Sequence, residues 1–157
     1  MQKMQKIITI KFNNLLKILL LLLSEYIYMN IKININEHIF KTKVLTEYNE
    51  IMLGMMGKKF TKKFDALLFV MNTPKQSFWM KNCIIPLDII FIKDNIITKI
   101  HHNCPPCKSK KDNGCKSYKG IGNLVLEIPG GTCEKLKIME GDIILFNLNS
   151  IVLKKDL

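Results

Sequence analysis

Arginine is absent from this chain; all 24 of its basic side chains are lysine. The rigid five-donor guanidinium is the group that reads phosphates and base edges bidentately, so its absence argues against sequence-specific nucleic-acid recognition. The formal charge of +11 then reads as a solvated lysine surface with weak attraction to anionic partners. Abundant Ile and Asn, as in IKININ at Ile31–Asn36, accompany the missing arginine in the way AT-rich coding produces. Long apolar runs are lacking as well. The unbroken stretch Ile18–Leu23 is far short of the roughly 20 residues a membrane-spanning helix requires. No P-loop, dinucleotide fingerprint, metalloprotease helix or Ser–His–Asp arrangement is visible, and no cofactor is expected.

What is present describes one folded unit. A length of 157 residues with 48% apolar and 24% charged content suits a single domain with its own core, stable without metal or disulfide staples. Residues 1–28 stand apart. Lys3, Lys6 and Lys11 precede the leucine-rich segment Leu15–Leu23, as in a signal peptide, yet Ser24–Tyr28 offers no small-residue cleavage site. Met29 opens MNIKININEHIF, which reads as a natural domain start. Residues 1–28 are therefore a leader, a signal-like segment or an upstream extension, and 29–157 form the domain. Export or weak membrane association would run through residues 1–28; otherwise the protein is expected in the cytoplasm.

From Ile31 the pattern is β. Ile31, Ile33 and Ile35 alternate with polar residues, and Phe40, Thr42 and Val44 alternate with Ile39, Lys41 and Lys43, predicting a hairpin. Thr46 is expected to cap a short helix carrying Tyr48, Ile51, Met52 and Met55, limited by Gly54 and Gly57. Strands are predicted at Ala66–Met71, Ser77–Cys83, Leu87–Ile92, Ile96–Ile100, Leu124–Ile128 and Ile143–Leu148, with a short helix at Thr132–Ile138. Lys93-Asp94-Asn95 makes a hairpin turn, and His101–Gly122 reads as a long polar loop. The fold class is α+β, mostly β: a small barrel-like antiparallel or mixed sheet with one or two short helices.

Two acids stand out. Asp88 in PLDIIFI and Glu127 in LVLEIPGG sit among apolar strand residues, where a carboxylate must face water or find donors. They would either line one pocket with Trp79, Lys81, Asn82 and Tyr118, or be satisfied by backbone amides and Lys81 and simply fix the fold.

The run FWMKNCIIPLDIIFI resembles the signature of the domain of unknown function 192 family, F-W-M-K-N-T-x-x-P-L-D-I-x-F. The resemblance extends over about Ile35 to Leu148. It takes in Gly54-Met55-Met56, Ala66–Val70, the Pro106, Cys107, Cys115, Tyr118 loop, Val125–Gly131 and Gly141-Asp142. It implies a mostly β, barrel-like fold and no particular activity. The chain departs from the family pattern at Cys83, where a hydroxyl residue is usual, and at Gly57-Lys58, where the family's arginine is lost.

Three of the five cysteines fall in Cys104-Pro-Pro-Cys107-x7-Cys115, with His101 and His102 just upstream. Cys-x-x-Cys in this loop lacks the strand-to-helix setting of a redox pair. A structural metal would use Cys104, Cys107, Cys115 and His101. The family resemblance implies instead a Cys107–Cys115 bridge. Three functions follow as expectations: a non-catalytic binding or accessory module for a small polar, sugar-like ligand held by Trp79, Lys81, Asn82, Asp88, Tyr118 and Glu127; a hydrolase using Asp88 and Glu127 as acid and base; or a metal- or disulfide-stapled interaction domain.

Overall fold

Alternation of Ile31, Ile33 and Ile35 with polar residues builds strand β1 (Asn30–Ile35), which pairs antiparallel with β2 (His38–Leu45) across a turn at Asn36. The computed structural model describes residues 30–109, 111 and 114–147. The expectations for residues 1–28 and for Leu148 lie outside that range. After β2 comes helix α1 (Tyr48–Leu53), then β3 (Ala66–Val70), which returns parallel to β2. The N-cap is Glu47 rather than the expected Thr46, and no side chain caps the helix. Gly54 ends α1 at φ +43, a conformation that side chains with a Cβ rarely adopt, and a Cβ there would lie 3.2 Å from the Phe69 ring.

The chain continues through β4 (Lys75–Trp79), β5 (Leu87–Lys93) and β6 (Ile96–Cys104). Then follow β7 (Ser117–Ile121), β8 (Leu124–Pro129), helix α2 (Thr132–Leu136) and β9 (Ile144–Asn147). Asp94 and Asn95, both at positive φ, make the tight β5–β6 turn. Two expectations are corrected. The strand placed at Ser77–Cys83 lies at Lys75–Trp79, and the polar loop placed at His101–Gly122 contains the end of β6 and all of β7.

Seven strands form one mixed sheet in the order β6-β5-β8-β3-β2-β1-β9, curled into a half-barrel. Its two edge strands approach each other at one end. Ile96 forms a bridge with Ile143, Ile97 N–H donates to Asp142 at 2.9 Å, and Ile144 N–H donates to Asn95 at 2.8 Å. The central strands are buried on both faces, so their side chains sort by parity into two apolar layers. Ile90, Ile92, Leu68, Leu126 and Ile128 join the β1 isoleucines, Cys133 and Ile138 in one layer. Leu87, Ile89, Phe91, Leu67, Phe69 and Val125 join Met55, Met80 and Tyr118 in the other.

Strands β4 and β7 form a separate two-stranded ribbon that covers the second layer. Phe78 packs edge-on between Phe69 and Phe91, at centroid distances of 5.0 and 6.0 Å. Gly120 brings the ribbon backbone so close that an added Cβ would lie 2.3 Å from the Phe91 ring. This second layer, roofed by the ribbon and α1, contains the candidate site.

Candidate functional site

Adjacent strands β5 and β8 pair Asp88 with Ile128 and Ile89 with Glu127. That register sends the two acids to opposite faces of the sheet. Asp88 enters the half-barrel layer, fully buried. Its Oδ1 accepts the backbone N–H groups of Asn103 (2.7 Å) and Gly131 (2.9 Å), and its Oδ2 accepts that of Cys133 (2.7 Å). One carboxylate thus ties β5 to the end of β6 and to the start of α2. Of the structural roles anticipated for the acids, the backbone-amide one fits Asp88.

Glu127 is buried in the other layer without such support. Among the described residues three buried side-chain oxygens lack a partner, on Asn34, Asp65 and Glu127. Desolvation pushes the Glu127 carboxyl up to about 8, with nothing opposing it. The residue lines a cavity of about 580 Å³. The rest of the wall comes from residues 51–56 of α1 and its following turn, Phe69 and Met71 of the sheet side, residues 77–79 and Ser117 of the ribbon, Cys83 and Cys115. Ser77 and Ser117 hydroxyl oxygens lie 2.6 Å apart. No lysine or histidine side chain belongs to this wall.

Of the six residues expected to converge, the cavity takes Trp79 and Glu127. Lys81 holds its ammonium 5.1 Å from the Trp79 ring centroid but is not part of the wall. Asn82 acts through its backbone: at φ +56, its N–H donates to Cys107 and its carbonyl accepts from Gly57. Tyr118 is buried edge-on against His101, with centroids 5.3 Å apart. The hydrolase pairing of Asp88 with Glu127 is not assembled, because the acids face different layers and both Asp88 oxygens are occupied.

The cysteine loop resolves as a bridge. Cys107 and Cys115 form a disulfide, and Cys107 also anchors its loop to Met80 and Asn82 through the backbone. With those two thiolates consumed, the four-ligand set of Cys104, Cys107, Cys115 and His101 is not formed. Cys104 is buried, and its thiol lies 3.4 Å from the His101 carbonyl. Burial pushes Cys83 up to about 12 and Cys104 up to about 11, the reverse of what a reactive thiolate needs. Asp88, His102 and Cys133 offer ligand atoms within 4.8 Å of one another, but the amide hydrogen bonds to Asp88 already account for that cluster.

Sequence reasoning overlooked the floor and roof of the cavity: Gly54-Met55-Met56, Phe69, Met71 and the Ser77–Ser117 pair. The available signal was the methionine density of IMLGMM at Ile51–Met56, since unbranched thioether side chains suit adaptable apolar walls.

A curled mixed sheet with a ribbon clamped over one face and an apolar cavity beneath it defines a small β-rich half-barrel domain. The chain belongs to the DUF192 family, described as an uncharacterized ACR, whose model matches residues 30–146. A crystal structure of a protein of unknown function from Novosphingobium aromaticivorans is similar at 27% identity and a TM-score of 0.63, over 73% of this chain and 84% of that one. A Sinorhizobium meliloti protein, provisionally described as a transcription regulator, shares the fold at 24% identity and a TM-score of 0.64, over 77% and 95% of the two chains. No curated protein matches the chain.

Proposed function

We propose that the domain is a non-catalytic binding module that holds a small molecule of largely apolar body in the cavity beside Glu127. The observation that carries this reading is the buried, unpartnered Oε2 of Glu127 on the wall of a 580 Å³ cavity. An acceptor left in that state costs about 1–3 kcal/mol, which a ligand donor would recover. The volume falls in the range of small-molecule sites, and an apolar wall with a few convergent polar groups is their usual composition. A sugar-like ligand is disfavoured because Lys81, Asn82, Asp88 and Tyr118, the groups that would have bound its hydroxyls, are not on the wall. Glu127 has no second acid or imidazole facing it there, which favours binding over acid–base chemistry.

Trp79 is the sole tryptophan of the chain and lines the cavity, so its fluorescence reports occupancy. Titration of the full chain with 1-hexanol is expected to give a saturable Trp79 response that Ser117→Phe, which fills the cavity, abolishes. A response that never saturates, or one unchanged in Ser117→Phe, would remove the proposal.

A further inference from the structure

We infer that the head group this cavity selects is a protonated amine, so that its occupant is a small organic cation with an apolar body. The inference rests on the binding reading above and concerns which ligand fits. Its basis is the sign of the wall. Glu127 is the one acid on it, no lysine or histidine side chain belongs to it, and the remaining polar groups are the Ser77 and Ser117 hydroxyls, the Cys83 thiol and the Trp79 indole N–H. Those two hydroxyls lie within hydrogen-bond distance of each other, which leaves them one free donor between them.

An anionic head would sit beside the buried Glu127 carboxyl with no cationic side chain on the wall itself, since Lys81 lies off the wall over Trp79, and a buried charge without a partner is disfavoured. A neutral hydroxyl supplies one donor. An ammonium supplies three, together with the opposite charge, to an oxygen that has no other partner. Methionines 52, 55 and 56 provide an adaptable surface for the apolar body.

This predicts a proton signature. The titratable groups facing Glu127 are the Cys83 and Cys104 thiols, which burial keeps protonated well above neutral pH, while Asp88 belongs to the opposite face. An ammonium that pairs with the Glu127 carboxylate must expel the carboxyl proton wherever that proton is bound. Affinity then rises by up to about tenfold per pH unit below the carboxyl pKa and levels off above it.

The test is a Trp79 fluorescence titration of the full chain with hexylamine, 1-hexanol and hexanoate between pH 6.5 and 8.5, in the parent and in Glu127→Gln. Hexylammonium is expected to bind at least tenfold more tightly than hexanol at pH 8.5. Its Kd should weaken severalfold to tenfold from pH 7.5 to 6.5 while that of hexanol stays flat. Glu127→Gln should abolish both the preference for hexylammonium over hexanol and the pH dependence. Equal Kd values for hexylammonium and hexanol, or a preference for hexanoate, would overturn the amine inference while leaving the binding module standing. Saturable binding by none of the three would overturn both. The head-group series in the parent decides the matter even if Glu127→Gln does not fold.

Discussion

Asp88 and Glu127 occupy near-identical sequence settings, Leu-Asp-Ile and Leu-Glu-Ile, on neighbouring strands of one sheet. On the half-barrel side, three backbone N–H groups converge on Asp88. On the ribbon side, the Glu127 Oε2 meets none, and its carboxyl is held in the neutral range instead. The difference lies in what arrives opposite each acid. The turn into α2 and the end of β6 bring exposed amide ends to Asp88. The ribbon and α1 bring side chains, mostly methionine and aromatic, to Glu127. A buried carboxyl is thus a structural staple or a waiting contact according to whether backbone donors or apolar side chains cover it.

Asp88→Ala offers the largest break in this comparison. It strands three N–H groups, that of Cys133 buried and those of Asn103 and Gly131 part-buried, and should cost roughly 3–5 kcal/mol in chemical denaturation. A loss below about 1 kcal/mol would mean that those amides find other acceptors. Reduction of the Cys107–Cys115 disulfide comes next, at roughly 2–3 kcal/mol for so short a loop. Because Cys115 lines the cavity, reduction should perturb Trp79 fluorescence while the amide protons of Asn103 and Cys133 keep their exchange protection. Equal deprotection on both sides would show that the two regions open as one.

Glu127 gives an effect that is spread over pH and is smaller within any one pH unit. Its folded pKa of about 8 lies above the ordinary carboxyl value of 4.5, so between these limits the native state holds a proton that the unfolded chain has released. Stability should therefore fall as pH rises through this window, by up to about 1.4 kcal/mol per pH unit. Glu127→Gln is expected to remove this slope from denaturation midpoints measured between pH 5 and 8; an unchanged slope would assign it to another group. The smallest effect belongs to Lys81→Ala. Losing the ammonium over Trp79 should cost less than about 1 kcal/mol and shift the Trp79 emission slightly. A larger loss would make Lys81 part of the ribbon's anchoring.

The elements legible in the sequence were those with a strong pattern. The β1–β2 alternation, the continuous runs of β3, β5 and β8, and the Asp94-Asn95 turn all carry local signals, and the mostly β, barrel-like class follows from them. The second half of β6 and strand β7 escaped notice because their side chains alternate weakly: β6 is an edge strand and β7 lies in the ribbon, so most of their residues face solvent. The site was half legible. Glu127 and Trp79 were recognisable as a buried acid and a ring near the core. That Asp88 would face away depends on a β5–β8 register fixed by residues some forty positions apart, and its amide donors come from 15 to 45 positions downstream. No local pattern encodes such convergence.

The pairing of β1 with β9 has a consequence for how the chain is made. These strands lie more than a hundred residues apart, yet Ile33 sits opposite Phe146 and Ile35 opposite Ile144. Contacts of such separation form late, because a long segment must be gathered before the pairing rewards it. The β1–β2 hairpin, being local, can assemble early in synthesis, but the outer edge of β1 then stays bare until the final strand emerges. An unpaired isoleucine-rich edge is a template for the wrong neighbour. The clasp between Ile96 and Ile143 comes from the same late segment. Mispairing at that edge is therefore most favoured in the interval before β9 is made, and β9 is the segment that closes it.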